Sequence, residues 1–169
     1  MKISIYNYSI KMKKTLLLIL AILTMQVSLA QKEQAYQSGE WFKFRMSYSG
    51  WLKAGNATMS VEETTYKGKQ VYHVVGKGWT TGAIKWFFKV KDNYESYIDK
   101  YTGLPYKSIR QIDEGGHTKD IETEFDQVSQ KAFVNNKKHN TKNTFSTEKN
   151  VQDMVSAFYY LRNNYNTDT

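Results

Sequence analysis

A period-two rhythm of apolar and polar residues constrains this chain more than any other feature, and the rhythm centres on Trp79–Pro105, WTTGAIKWFFKVKDNYESYIDKYTGLP. Ile84, Trp86, Phe88 and Val90 alternate there with Lys85, Phe87, Lys89 and Lys91. Successive side chains of a strand point to opposite faces, so the alternation predicts a β-strand with its apolar face buried and its lysines in water. Phe87 breaks the polar side, marking either a second packed layer or a contact surface. Asp92-Asn93 reads as a turn, because both side chains hydrogen-bond their own backbone. In the next strand Tyr94, Ser96 and Ile98 share one face and Glu95, Tyr97 and Asp99 the other. Thr102-Gly103-Leu104-Pro105 ends it, since proline offers the ladder no N–H and glycine tolerates positive φ.

The same rhythm recurs along the chain. Glu40–Tyr48 reads as a strand with Phe42, Phe44, Met46 and Tyr48 on one face. GWLKAG at Gly50–Gly55 turns it into Asn56–Glu63, whose small Ala57 suits a position opposite Phe44. Tyr66–Lys69 is a turn before a β-branched and aromatic strand at Gln70–Gly76. Tyr106–Asp113 and Thr118–Phe125 flank a hairpin turn at Glu114-Gly115-Gly116-His117, with Ile121, Thr123 and Phe125 on one face. After a turn at Asp126-Gln127, a further strand is expected over Val128–Val134, and the polar run Asn135–Thr147 is expected to be a loop. The period then changes. Val151, Met154, Val155, Phe158 and Leu161 recur at three- and four-residue spacing, which predicts a C-terminal helix with Asn150 as its N-cap and Asp153 near its positive end. The expected fold is mainly β: an antiparallel meander forming a curved sheet, half-barrel or open barrel, with one C-terminal α-helix.

Residues 1–30 have the layout of a secretory signal. Lys11, Lys13 and Lys14 precede the apolar run Leu16–Met25, and Ser28-Leu29-Ala30 offers small residues for cleavage after Ala30. That run is about half the roughly 20 residues a spanning helix needs. A periplasmic or secreted protein without a stable membrane span is expected, with residues 31–169 as a single β-rich domain. Met12 is a second possible start, because MKKTLLLIL already contains a basic and an apolar region. The leader carries four lysines and no acidic residue, so its loss lowers the net charge from +8 to +4. This modest balance gives no support to a nucleic-acid partner. The absence of cysteine excludes disulfides, thiolate metal sites and a cysteine nucleophile.

Four segments together resemble the exported bacterial domain-of-unknown-function family 3108. They are GEWFKFRMSYSGWLKAGNATMSV at Gly39–Val61, DNYESYIDKYTGLP at Asp92–Pro105, EGGHTKDIETEFD at Glu114–Asp126 and SAFYYLR at Ser156–Arg162. The resemblance implies an exported, mostly antiparallel β domain with a helix after the first set of strands. It also implies further strands beyond that helix, so this chain is expected to be shortened at its C-terminus. It implies no activity.

No nucleophile elbow, P-loop or dinucleotide fingerprint is present. His73, His117 and His139 are scattered over a strand, a turn and a loop, without metal-ligand spacing. No metal or cofactor is therefore expected, and His73 reads as an ordinary strand residue. Glu95 and Asp99 share a strand face. They suit either a pair of glycan-hydrolysing carboxylates or, more simply, salt bridges to neighbouring strands. Arg162, at the helix end, suits pairing with the helix dipole or with a carboxylate such as Asp99. The 13 Tyr, 8 Phe and 4 Trp must largely fill the core. Trp51, Trp79, Trp86, Phe87 and Tyr97 are the aromatic candidates for ligand contact. Two functions follow as expectations. One is a non-enzymatic envelope protein binding lipid, glycan or an envelope protein. The other is a periplasmic glycan hydrolase using Glu95 and Asp99.

Overall fold

The computed structural model describes residues 13–17, 34–48 and 52–165. The chain divides into two units, Met1–Gln34 and Ala35–Thr169. In the first, residues 13–17 are helical. The expected cleavage site at Ala30, and Trp51 in the second unit, lie outside the described residues. Among the described residues no helix is long and apolar enough to cross a membrane.

The second unit is an eight-stranded antiparallel meander: β1 (Trp41–Tyr48), β2 (Leu52–Tyr66), β3 (Lys69–Thr80), β4 (Lys91–Asp99), β5 (Pro105–Glu114), β6 (His117–Asp126), β7 (Lys131–Asn136) and β8 (Thr141–Ser146). A four-residue helix α1 (Ile84–Phe87) interrupts the β3–β4 connection, and α2 (Met154–Asn164) follows the sheet. Each strand pairs only with its neighbours in sequence, so β1 and β8 are the edges of one open, uncurled sheet. The meander and the C-terminal helix are those read from the sequence. Turn chemistry sets the register. Lys67-Gly68 and Gly115-Gly116 both take positive φ at two successive positions, the geometry whose twist matches antiparallel strands. Ala57 does lie opposite Phe44.

The core lies on one face, where α2 packs against β2, β3 and β4. Val61, Tyr72, Val74 and Ile98 project from the sheet toward Val155 and Tyr159 of the helix. Tyr36 wedges between, with its ring edge-on to Tyr72 at 5.1 Å and to Tyr159 at 4.5 Å. Asp153 caps α2. Its carboxylate accepts from the backbone N–H groups of Val155 and Ser156 and from the Ser96 hydroxyl at 2.6 Å. The Ser156 hydroxyl in turn accepts from Asp153 N–H, completing a capping box. At the other end the Arg162 guanidinium donates to Glu40 and to the Ala35 carbonyl.

Several expectations are corrected. Ile84–Val90 is not a strand: Ile84–Phe87 is helical, and Trp86, expected on the buried face, is 89% exposed. Phe87, read as a second packed layer or a contact surface, is 88% exposed. The reason is topological. β3 and β4 already pair with each other out to Trp79 opposite Lys91, so the residues between them have no strand to join. Asp92 and Asn93 lie within β4, not in a turn. The polar run after Val134 is no loop, because β7 and β8 form a regular hairpin from Lys131 opposite Ser146 to Asn136 opposite Thr141. Asp153, not Asn150, caps the helix. Helix α2 buries Val155, Ser156 and Tyr159, while Met154, Phe158 and Leu161 face outward.

This packing makes Tyr159 the keystone of the helix. Tyr159→Ala should lower unfolding free energy by about 3–5 kcal/mol, whereas Leu161→Ala should cost less than about 1 kcal/mol. Urea titrations of both variants check this, and equal losses would mean that α2 docks by another face.

Candidate functional site

The face of the sheet opposite α2 is polar, and it carries a cleft of about 890 Å³ at the end that bears α1. Register builds it. Lys77 lies opposite Asn93, Asn93 opposite Gln111 and Gln111 opposite Asp120, so four strands contribute one cross-strand row to the cleft. Val75 and Trp79, two positions either side of Lys77, and Ile112 supply apolar wall. The β3–β4 connection overhangs with Lys85, Lys89 and Val90. Lys77, Lys85, Lys89, Lys91 and Lys119 all line the cleft, and none makes an ion pair among the described residues. Asn93 Oδ1 and Asp120 Oδ1 are buried without a hydrogen-bond partner. An unmet buried acceptor costs about 1–3 kcal/mol, so these are places where a hydroxyl or amide of a bound molecule would be stabilised.

Glu95 stands at the inner end of the cleft. It accepts from Asn93 Nδ2 at 2.8 Å, and its other oxygen lies 2.8 Å from His73 Nε2. Burial pushes the Glu95 carboxyl up, but the hydrogen bonds from Asn93 and His73 and the His73 charge outweigh it and hold the group below its ordinary value. The Tyr97 ring stacks on His73 with centroids 4.3 Å apart. His73, read from the sequence as an ordinary strand residue, thus joins Glu95 and Tyr97 in one cluster. The sequence hid this because only the pairing of β3 with β4 sets Tyr97 opposite His73.

The remaining sequence candidates divide. Trp79 is half-buried and lines the cleft. Trp86 and Phe87 stand away from it on α1. Asp99 is engaged in the β4–β5 turn: Oδ1 accepts from Tyr101 N–H, Thr102 N–H and the Thr102 hydroxyl, and Oδ2 from the Tyr106 hydroxyl at 2.7 Å. Burial raises the Asp99 carboxyl, but these four donors bring it below its usual value, while burial and Asp99 push Tyr106 up to about 12. Four residues along a strand set Glu95 and Asp99 roughly 13 Å apart at the backbone. Glycosidase carboxylates work at about 5–9.5 Å. Arg162 pairs with Glu40, not with Asp99, on the far face of the sheet.

A family model described as "Protein of unknown function (DUF3108)" matches residues 43–168. No curated protein and no solved structure matches.

The two carboxylates behave differently under mutation if Asp99 is a turn anchor. Asp99→Ala should cost about 2–4 kcal/mol, because it leaves several donors unpaired. Both carboxyls have folded values below their unfolded ones, so their stabilisation is present above the unfolded value and lost as pH falls through the folded one. Wild type should therefore lose stability as pH drops below about 4, and each single carboxylate variant should lose less over that range. Thermal unfolding of Asp99→Ala at neutral pH indistinguishable from wild type would sink the turn assignment.

Proposed function

From a chain that belongs to the DUF3108 family, whose function is unknown, we propose a non-enzymatic binding protein acting outside the cytoplasm after loss of residues 1–30. Its ligand is a small amphipathic molecule carrying an anionic group. The cleft carries this reading: Trp79, Val75 and Ile112 offer apolar wall, and five lysines without ion pairs surround it. An apolar body is stabilised by leaving water, and an anionic head by the five lysines, which outnumber the carboxylates of the same lining, Asp92, Glu95, Asp113 and Asp120. The unpartnered oxygens of Asn93 and Asp120 suit a head that also carries hydroxyl or amide donors. The secretory layout of the leader supports export.

No observation favours hydrolysis by Glu95 and Asp99. Glu95 is bound to His73 and Asn93, and Asp99 is consumed by its turn.

Anilinonaphthalene sulfonate, an amphipathic anion whose emission rises in apolar surroundings, serves as the probe. Trp79→Ala should weaken its binding about tenfold, as loss of about 1.4 kcal/mol would. Lys77→Glu with Lys119→Glu should weaken it further, and Leu161→Ala on the other face should not affect it. Native mass spectrometry of the purified protein should show retained mass of the same chemical class. Equal affinity in wild type, Trp79→Ala and the double lysine variant would overturn the cleft as the site.

A further inference from the structure

The strongest feature left unused is α1. Trp86 and Phe87 are 89% and 88% exposed, side by side on a four-residue helix. Two large aromatic side chains in water are costly unless something covers them. The segment that presents them is braced. The Phe88 ring packs on the β5–β6 turn so closely that a Cβ on Gly115 would lie 2.5 Å from it. Gly115 N–H donates to the Lys89 carbonyl at 2.8 Å, Val90 bridges to Glu114, and Val90 N–H donates to the Thr80 hydroxyl at 2.9 Å. Phe88 N–H closes the helical turn on the Ile84 carbonyl. The bracing residues differ from the presented ones. Phe88 sets one side of its half-exposed ring against Gly115, while Trp86 and Phe87 face outward.

Charge says what covers them. No acidic residue occurs from Thr80 to Lys91, and Lys85 on one side and Lys89 and Lys91 on the other flank the aromatics closely. None of the three makes an ion pair among the described residues. We propose that Trp86 and Phe87 insert into the interfacial layer of an anionic lipid bilayer while Lys85, Lys89 and Lys91 meet headgroup phosphates. Aromatic rings settle at the headgroup level, and lysine stems reach from apolar depth to charged oxygens. A protein partner fits less well. Specific protein interfaces need about 800 Å² per partner and seat their aromatic anchors in pockets with a sealing rim. Two rings on a projecting helical turn offer neither, and a bilayer requires neither. Lys85, Lys89 and Lys91 also line the cleft, so the lysines are shared by the two readings, and only the aromatic pair belongs to this one alone.

Sedimentation with vesicles tests it, using the protein as recovered from the producing cell. Vesicles of phosphatidylglycerol with phosphatidylcholine are compared with vesicles of phosphatidylcholine alone. Wild type should sediment with the anionic vesicles about tenfold more strongly than with the neutral ones, and less as salt rises. W86A/F87A should lose about tenfold in partitioning, and K85E/K89E should lose the anionic preference. Brominated lipid should quench tryptophan emission in wild type, and W86F should remove that quenched component, which separates this contact from any other apolar segment. W86A/F87A should keep wild-type thermal stability and wild-type dye binding in the cleft, so failure here and failure of the cleft reading are distinguishable. Absence of wild-type binding to anionic vesicles, sedimentation of W86A/F87A equal to wild type, or unchanged quenching in W86F would each overturn the proposal.

Discussion

The half-buried Asp153 is what joins helix to sheet. A single sheet of eight strands closes its own backbone ladder through consecutive hairpins but has no second layer to bury its apolar side. Among the described residues α2 covers it, together with the segment that carries Tyr36. The first N–H groups of any helix lack internal partners, and here they would be sealed against β4. Asp153 answers both needs, taking two of those donors and the Ser96 hydroxyl from the sheet. Burial raises its carboxyl, and the donors from Ser96, Ser156 and Val155 oppose that shift. With the N-terminal end of α2 set in this way, Val155 and Tyr159 fall onto Ile98, Val74 and Tyr72, and Arg162 reaches Glu40.

The opposite face follows from the same arrangement. With no helix to cover it, it carries charge that is largely satisfied across strands. His73 pairs with Glu95, Lys107 with Glu122 and Lys67 with Glu124. Such a surface tolerates water without an apolar cover. The pairing gives out toward the end bearing α1, where Lys77 faces Asn93 and not a carboxylate. The cleft lies where cross-strand pairing fails and the β3–β4 connection overhangs. Position on the sheet, rather than any one residue, makes the site.

Period-two alternation was enough to read most strands, their faces and the helix, because each strand needs only its sequence neighbour. Tyr94, Ser96 and Ile98 against Glu95, Tyr97 and Asp99 is the division the sheet uses. Composition misled where polarity stood for disorder: KKHN between β7 and β8 is a tight turn, and its flanks pair as regular strands despite few apolar residues. The helix was legible but its face was not, since Phe158 and Leu161 are as apolar as Tyr159. Only the position of the Asp153 cap decides which of them turns inward. Of the cleft, Trp79 and Glu95 were legible as types of residue. Asn93, Gln111 and Asp120 were not, because a cross-strand row exists only once four registers are combined.

The stretch Ile84–Val90 shows what such a misreading is worth. Its alternation is as regular as that of any strand in the chain, and strand propensity favours its residues. A strand there would still need a hydrogen-bonding partner. β3 and β4 occupy each other's inner edges, and the open edges of the sheet belong to β1 and β8. The segment must therefore arch over, and its backbone needs are met by one helical turn and by Gly115 and Thr80. Its apolar side chains then cannot all be buried. Phe88 finds the bare backbone of Gly115, whereas Trp86 and Phe87 find only solvent. Local pattern and tertiary setting disagree here more sharply than elsewhere in the described chain, and such disagreements concentrate at working surfaces. Polar residues at these two positions would leave every bracing contact intact, so folding does not account for the aromatic pair.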